Sequence, residues 1–386
     1  MKIDRVDLWA VRIPYVNPIR FAFGTRTVGD YLILQIHTDS GAFGTGGSGA
    51  LWPPVSGECI QGAIQIVEEN FIPHALLGED ANNLGKIMDR LDRLCVGQTM
   101  TKSAVDFALH DLLGRARGVP VYDLLGGAQR DEIPQEWIVM LDKPEVMAEE
   151  ARAWIEAGYS GIKVKFGGDL KTDIRRYELV RRAVGDDIGM CVDANQAYKA
   201  DGAIKVTNAI EHMGIKFMEE PVHRDDLDGL IKLRQHTNVA LAADETAWTI
   251  KDAKRLIDLR LLDYLHAAPS RIGGLYKMKQ YVDLGYAAGV TSVFSIYNSP
   301  ALEYAASCHF AFAARPKNIP DEIVGIFNVH GGKHTNEITE SIANPINPPL
   351  VGGKITRPKG PGFGMELNMD YVKHYQLHYK SHVRKL

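Results

Sequence analysis

The sequence predicts an α/β protein, a (β/α)8-type (TIM-like) barrel with an N-terminal α+β capping domain that the C-terminal tail completes. After residue 130, short apolar runs alternate with amphipathic helical stretches eight times, at a spacing of about 25 residues, which is typical of this barrel. The length of 386 residues suits two domains. A composition of 45% hydrophobic and 24% charged residues is that of a globular protein with a sizeable core. A doubly wound open sheet is the alternative architecture.

The barrel prediction depends on the apolar runs and on the helices between them. The runs read, in order, IPQEWIVML, GIKVKFG, IGMCVDAN, IKFMEEP, VALAADET, DYLHAAP, TSVFSIY and EIVGIFNV. Between them, apolar residues recur at helical spacing, as at Ile174, Tyr177, Val180 and Val184. Each run followed by such a stretch makes one strand–helix unit.

The N-terminal part has a different pattern. It reads as two strands followed by helices. Residues 31–37 (YLILQIH) predict a strand that a turn closes, and residues 60–117 read as helices, the last of which ends before Gly118-Val119-Pro120. We therefore divide the chain into a capping domain at 1–127, a barrel at 128–345 and a tail at 346–386. The tail is expected to pack back on the capping domain, because a structureless tail would not carry GFGMELN.

Charge and cysteine content exclude several classes of protein. The net charge is −4 and no lysine- or arginine-rich run occurs, so neither a nucleic-acid groove nor an anionic membrane patch is expected. The four cysteines include no CxxC pair, so no zinc site or disulfide framework is predicted. No signal peptide and no stretch of 18 uncharged apolar residues occurs. We expect a cytoplasmic protein that does not associate with membranes.

The candidate chemistry lies where the middle strands end. Six polar side chains stand there on four successive strands, at steps of about 25 to 28 residues, as expected of one strand–helix unit each. They are Lys163 and Lys165, Asp193 and Asn195, Glu219, and Asp244. Residues i and i+2 of a strand share a face, and barrel active sites assemble at the C-terminal strand ends. These side chains should therefore converge on the mouth of the barrel.

The convergence predicts a metal site beside a lysine base. Three neighbouring carboxylates repel one another unless a cation or a proton lies between them, and oxygen ligands without His or Cys favour Mg2+, with Mn2+ next. Burial beside a second cation should lower the pKa of a lysine toward the range of a base. A divalent metal facing such a lysine suits removal of a proton next to a carboxylate.

These motifs resemble those of the mandelate racemase/muconate lactonizing enzyme family of the enolase superfamily, over essentially the whole chain. AVDFALHDLLGRARGVPVYDLLGG is similar to the family's entry into the barrel, and KVK, VDAN, MEEP and ADET follow in the family's order and spacing. The resemblance implies that Asp193, Glu219 and Asp244 bind Mg2+ and that Lys165 is the base. It implies that Lys163 lowers the pKa of Lys165 and meets the carboxylate of the substrate.

The resemblance also implies where substrate selection occurs. Loops of the capping domain near residues 15–30 and 50–55 should select the substrate. They carry the candidates Tyr15, Arg20, Arg26 and Trp52. On the barrel side, Asn195 and Tyr297 are the candidates for substrate binding. Small carboxylic acids are the expected partners, and relatives suggest a homo-oligomer.

Two departures from the family pattern shape the predicted reaction. Ala268 stands where racemising relatives carry a second lysine, and residues 295–298 replace an expected histidine. His266 is interpreted as a core histidine, and Tyr297 as a weak acid or hydrogen-bond donor. One base without an opposite partner favours dehydration of a sugar acid to a 2-keto-3-deoxy acid. The alternatives are a racemase, epimerase or cycloisomerase of a small carboxylic acid and, outside the enzymes, a non-catalytic binder of small acids.

Overall fold

The structure is a computed structural model and describes residues 1–21, 24–330, 338 and 340–384. These residues form a (β/α)8-type barrel and an α+β capping domain, so the predicted fold class is confirmed. Residues 22 and 23 of the predicted capping loop lie outside the described residues. The division at 127/128 and 345/346 stays a prediction.

The capping domain consists of an antiparallel sheet and a layer of helices. Its strands are β1 (Ile3–Phe21), β2 (Gly24–Thr38) and β3 (Phe43–Gly47). Its helices are α1 (Pro53–Ser56), α2 (Ile60–Ile66) with a wider π-helical continuation (Val67–Leu76), α3 (Leu84–Leu94), α4 (Thr99–Arg117) and α5 (Val121–Leu124). The two strands and the helical region predicted for this domain are present, and β3 is an addition.

The glycines of the AFGTGG segment explain how α4 packs on β3. A Cβ at Gly44 would lie 2.2 Å from the backbone nitrogen of Leu112, and one at Gly46 would lie 2.2 Å from the carbonyl oxygen of Ala104. Only glycine permits this approach of helix to strand. Consequently α4 is buried along most of its length between the capping sheet and the barrel.

The barrel sheet contains seven consecutive parallel strands. After the short β4 (Glu132–Pro134), they are β5 (Glu136–Val139), β6 (Gly161–Lys165), β7 (Gly189–Asp193), β8 (Ile215–Glu219), β9 (Leu241–Ala243), β10 (Tyr264–Ala267) and β11 (Thr291–Phe294). They hydrogen-bond in chain order from β5 to β11. This order places the strand ends that carry the predicted site next to one another.

The eighth predicted strand is much shorter than its sequence suggested. Two parallel bridges, Gln135 with Asp321 and Ser295 with Glu322, connect the two edges of the sheet and close the barrel. The run EIVGIFNV then leaves the sheet, because a helical turn begins at Ile326. A continuous apolar run fits a buried helix as well as a buried strand, so the sequence pattern could not separate them.

Helices surround the barrel, and the tail returns to the cap. The helices are α6 (Pro144–Glu156), α7 (Leu170–Val184), α8 (Ala200–Ile210), α9 (Leu227–His236), α10 (Ile250–Asp258), α11 (Pro269–Ile272), α12 (Leu275–Ala287), α13 (Ala301–Ala313) and α14 (Ile326–His330). The tail contains β12 (Ala343–Asn344), β13 (Leu350–Val351), β14 (Lys354–Thr356), β15 (Glu366–Leu367), α15 (Met369–His374) and β16 (Gln376–Val383). β16 pairs antiparallel with β1 at the edge of the capping sheet. Among the described helices, none has the length and apolar character needed to cross a membrane.

Candidate active site

The predicted site residues meet at the C-terminal mouth of the barrel. Lys165, Asp193 and Glu219 are the last residues of β6, β7 and β8 and stand in register across the sheet. Asp244 directly follows β9. One cavity of about 90 Å³ is lined by eight of the predicted residues, which are Trp52, Lys163, Lys165, Asp193, Asn195, Glu219, Asp244 and Tyr297.

Each of the three predicted metal ligands contacts a cationic side chain. Lys165 contacts Asp193, and Lys163 Nζ lies 2.5 Å from Glu219 Oε2. Asp244 lies 3.0 Å from Arg271 Nε, and it accepts a hydrogen bond of 2.6 Å from the hydroxyl of Tyr297. The carboxylates therefore face the mouth of the barrel with protein cations close to them.

The donor set fits a divalent cation. Burial, and next the charge of Glu219, raise the pKa of Asp193, so negative charge is crowded here. Burial, followed by Glu220 and Asp244, raises the pKa of the neighbouring Glu245 well above its usual range. Asp244 Oδ1 is buried and accepts no well-aligned hydrogen bond among the described residues, although Arg271 Nε lies 3.0 Å from it. Hard oxygen ligands in a crowded acidic site match Mg2+ or Mn2+.

A second acidic group lies deeper in the barrel. Ligand atoms of Glu219, His266 and Glu322 lie within 4.8 Å of one another and could hold a metal ion. Lys163, however, contacts both carboxylates, and the His266 ring nitrogens lie 3.0 Å from Glu219 and 2.9 Å from Glu322. Burial lowers the pKa of His266, but Glu219 and Glu322 outweigh it and raise the value to about 10. Two cations thus already balance two carboxylates at this depth.

The lysines differ from what the sequence suggested. Burial lowers the pKa of Lys165, but the charges of Asp193 and Glu219 outweigh burial and raise it, so the expected depression is not found. Lys163 does lower the pKa of Lys165, as predicted, although this effect is smaller than that of the carboxylates. Lys163 itself is 1% exposed and pairs with Glu219 and Glu322.

The opposite wall of the mouth carries little charge. Ala268 follows β10 and is fully buried, and Ser295, Ile296 and Tyr297 follow β11. Two acidic side chains line this wall, but the hydroxyl of Tyr297 is engaged with Asp244, and Glu322 is paired with Lys163 and His266. Both departures noted in the sequence therefore leave this wall without a lysine or a histidine at the surface of the cavity.

The capping domain contributes an apolar rim and one cation. Ala50, Trp52 and Val55 line the cavity together with Ile138 and Met140 of the barrel. Arg26, another predicted specificity residue, also lines it. The other two candidates do not line it. The Tyr15 ring packs 5.7 Å from the Arg26 guanidinium, and Arg20 pairs with Asp142 at the surface.

Sequence reasoning missed three functional neighbours. The sequence marks Glu322 only as the start of an apolar run, and it assigns no role to Arg271. Glu245 is the second acid of ADET, and only its first acid was considered. Burial of a charged residue would single out Glu322, because charged residues are rarely buried without a partner. That burial is visible only once the fold is known.

A larger groove lies at the other end of the barrel and is separate from this chemistry. It measures about 790 Å³ and lies between the end of α12 and residues 313–319. Two of its lysines, Lys279 and Lys317, already pair with Asp283 and Asp321. None of the strand-end carboxylates lines it. We therefore place the candidate site at the smaller cavity.

Comparison with known proteins gives the family. Residues 5–126 match the family model "Mandelate racemase / muconate lactonizing enzyme, N-terminal domain", and residues 146–371 match "Enolase C-terminal domain-like". The chain belongs to the mandelate racemase/muconate lactonizing enzyme family of the enolase superfamily. The resemblance predicted from the motifs is thereby confirmed.

Individual relatives are similar to this chain in both sequence and structure. The N-succinyl-L-Arg/Lys racemase of Bacillus cereus is 31% identical over 316 residues, which are 82% of this chain and 85% of that protein. Its solved structure has a TM-score of 0.90 and covers 100% of both chains. Chloromuconate cycloisomerase CbnB of Cupriavidus necator is 28% identical over 379 residues, 97% of this chain and 99% of that protein.

A third relative was solved with a metal. The dipeptide epimerase of Cytophaga hutchinsonii, complexed with Mg and the dipeptide D-Ala-L-Val, has a TM-score of 0.89 at 26% identity and covers 99% of this chain and 100% of that one. All three relatives are isomerases, so they support the racemase, epimerase or cycloisomerase alternative better than sugar-acid dehydration. The expected cytoplasmic location and homo-oligomeric state stay predictions.

Proposed function

We propose that the protein is a Mg2+-dependent isomerase of a small carboxylic acid that uses one lysine base, with cycloisomerisation as the reaction that best suits the site. The observation that carries this proposal is the asymmetry of the mouth. Lys165 stands on one wall among Asp193, Glu219 and Asp244. The opposite wall presents Ser295, Ile296 and Tyr297, and its carboxylate, Glu322, is already paired with Lys163 and His266. A reaction completed from one face of the substrate needs no second base.

The lysines have separate tasks in this proposal. Lys165 Nζ takes the proton from the carbon α to the substrate carboxylate. The electron pair left behind forms an enediolate, which then expels an oxygen substituent from the β carbon on the same face. In a cycloisomerisation this oxygen belongs to another carboxylate of the same molecule, so substrate and product are isomers. Lys163 stays beside Glu219 and Glu322 and, together with His266, balances the charge of that carboxylate pair.

Asp193, Glu219 and Asp244 would hold the divalent cation. When bound, the cation would neutralise the second negative charge that the substrate carboxylate acquires as the α proton leaves. Arg271 is fully buried and faces Asp244, which orients that carboxylate toward the mouth. Mg2+ is favoured because the three ligands are hard oxygen donors.

The lining of the cavity supports a substrate that is not a sugar. The rim formed by Trp52, Val55, Ile138 and Met140 offers apolar surface where a polyhydroxylated acid would need hydrogen-bond partners. Arg26 is 9% exposed, and no carboxylate of a described residue lies within ion-pair distance of its guanidinium. Arg26 donates a hydrogen bond of 3.0 Å to the carbonyl of Leu51 and stacks over the rings of Tyr15 and Trp52. Its remaining N–H groups could bind an anionic group of the substrate, distant from the reacting carbon.

Racemisation or epimerisation is the second candidate, and Tyr297 is the observation that favours it. Its hydroxyl stands on the wall opposite Lys165 and could return a proton to the other face. The similarity to the Bacillus cereus racemase supports this reading as well. It requires Tyr297 to leave its hydrogen bond with Asp244 during the reaction.

Proton exchange with solvent tests both candidates and the non-catalytic alternative. The protein with Mg2+ is incubated in D2O with cis,cis-muconate, muconolactone, N-succinyl-L-arginine and L-Ala-L-Glu, and deuterium is located by NMR. One-base chemistry predicts isomerisation of the muconate–lactone pair, or α-deuterium incorporation with retained configuration. Inverted substrate would establish the epimerase instead. No exchange with any of these acids, together with tight binding of one, would favour a binder.

A further inference from the structure

The two acid doublets MEEP and ADET each contain a carboxylate that the proposed mechanism leaves unused. The contacts of Glu220 indicate a structural role. Its Oε1 accepts hydrogen bonds from the backbone N–H groups of Asp244 (2.7 Å) and Thr246 (2.8 Å), and its Oε2 accepts one from the Thr246 hydroxyl (2.7 Å). Glu220 therefore fixes the backbone on both sides of Glu245.

Glu245, held in this way, contacts Asn195. Asn195 Nδ2 donates a hydrogen bond of 3.3 Å to Glu245 Oε1, and both residues are buried. The other oxygen of Glu245 has no hydrogen-bond partner among the described residues. Either protonation state of Glu245 leaves an oxygen that can accept from an amide, so the contact does not depend on its charge.

The other end of the Asn195 amide faces Lys165. Lys165 Nζ donates a hydrogen bond of 2.8 Å to Asn195 Oδ1. An ammonium group can only donate, so the amide must present its oxygen to Lys165 and its nitrogen to Glu245. Asn195 is also fixed through its backbone, whose N–H donates to Asp193 Oδ1 at 2.7 Å, and it has a left-handed φ of 40°.

We infer that Glu245 and Asn195 are positioning residues for Lys165, with Glu245 setting the orientation of the Asn195 amide and the amide oxygen holding the lysine. This inference rests on the proposed role of Lys165 as the base. Protein groups engage both ends of the Asn195 amide, and its contact with substrate stays a prediction. A rotated amide would present N–H groups to the ammonium, which repel it.

Crystal structures of two variants with Mg2+ test the positioning directly, without a substrate. Glu245→Gln keeps an oxygen that can accept from Asn195, whereas Glu245→Met has a similar size and cannot accept. We expect the Asn195–Lys165 contact to persist in the Gln variant and to be lost in the Met variant. An Asn195 amide that keeps its orientation and its contact with Lys165 in Glu245→Met overturns the inference. If the Met variant does not fold, Glu245→Ser, too short to reach Asn195, replaces it.

The rate of α-proton exchange in D2O gives the functional readout, with muconolactone, N-succinyl-L-arginine and L-Ala-L-Glu as probes. Displacing a base by about 1 Å can cost on the order of 100-fold. Glu245→Met should therefore lower kcat by 10- to 100-fold with little change in KM, and Glu245→Gln should recover most of that loss. A purely structural role would lower both variants alike and would overturn the inference.

Lys165→Ala separates this inference from the proposed function. If Lys165→Ala keeps the wild-type exchange rate, or if wild-type protein exchanges none of the probes, the proposed function fails, and the crystal structures still decide whether Glu245 orients Asn195. If Lys165→Ala abolishes exchange while Glu245→Met does not lower it, only the positioning inference fails.

Discussion

The two walls of the barrel mouth are built on the same fold but differ in chemistry. On the wall formed by β6 to β9, four successive strands end in or are followed by Lys165, Asp193, Glu219 and Asp244. On the wall formed by β10 and β11, the corresponding position after β10 is the buried Ala268. The first wall can move a proton and hold a cation, whereas the second can mainly shape the substrate.

The difference between the two walls shows that charged side chains are distributed by their depth in the barrel as well as by the wall on which they stand. β10 does contribute a cation, but it is His266, which lies below the cavity and pairs with Glu219 and Glu322. It is fully buried and does not line the cavity. The strand therefore balances charge inside the barrel and leaves its wall of the cavity neutral.

The largest effect is expected on removing the base from the charged wall. Lys165→Ala should lower activity by about 10²–10⁴-fold, which is the usual contribution of a positioned acid or base. Lys165→Arg is the matched control, because arginine keeps the positive charge but does not lose its proton in proteins. Both variants should lose α-proton exchange in D2O. Wild-type exchange in either one would place the base elsewhere.

A large effect on metal binding is expected from Glu219→Gln. Loss of an outer-shell partner alone costs about 10–100-fold in metal affinity, so loss of a ligand should weaken Mg2+ binding by at least this factor. Calorimetric titration with Mg2+ measures it, and removal of Mg2+ by a chelator should abolish activity of the wild type. Asp225→Asn, at an exposed carboxylate outside the site, is the control for a general charge effect. Undiminished Mg2+ affinity in Glu219→Gln would contradict the assignment.

The charged wall was predictable because its signals are local. Lys165, Asp193, Glu219 and Asp244 each stand at the end of an apolar run, and the spacing of one strand–helix unit brings consecutive runs side by side. Alternation along a strand then decides which residues face the barrel. These rules need only the order of the elements, so the sequence is sufficient to place the strand ends.

The rest of the site depends on packing between distant segments. Glu322 reaches the site because a two-residue bridge closes the barrel, which an apolar run of eight residues did not reveal. The sequence indicates that His266 is a core histidine, and the residue is indeed buried. Its contacts with Glu219 and Glu322, however, join three segments that are distant in the sequence. The raised pKa of Lys165 likewise reflects how closely Asp193 approaches it, which spacing along the chain does not determine.

Arg26 tests whether the substrate reaches from the charged wall to the cap. Arg26→Met removes the cation and keeps most of the apolar bulk of the side chain. A lost hydrogen bond to a charged group costs about 1.5–3 kcal/mol, so KM should rise by about 10-fold or more for a substrate with a second anionic group. kcat should change little, because the chemistry stays on the charged wall. An unchanged KM for diacids would place the second anionic group elsewhere.

The smallest effect is expected from Tyr297→Phe, and its size decides between the two candidate reactions. The Tyr297 hydroxyl donates to Asp244, so its loss removes one hydrogen bond from a proposed metal ligand that still faces Arg271. If Lys165 alone moves the proton, kcat should fall by less than about 10-fold, since no proton transfer is lost. If Tyr297 delivers a proton to the second face, the same variant should lose inversion by about 10²-fold or more while Lys165 still exchanges the α proton on its own face. Chiral analysis of substrate recovered from D2O measures both quantities in one experiment. Inversion that persists in Tyr297→Phe at the wild-type rate would exclude this residue, and the neutral wall would then have to work with water as its proton donor.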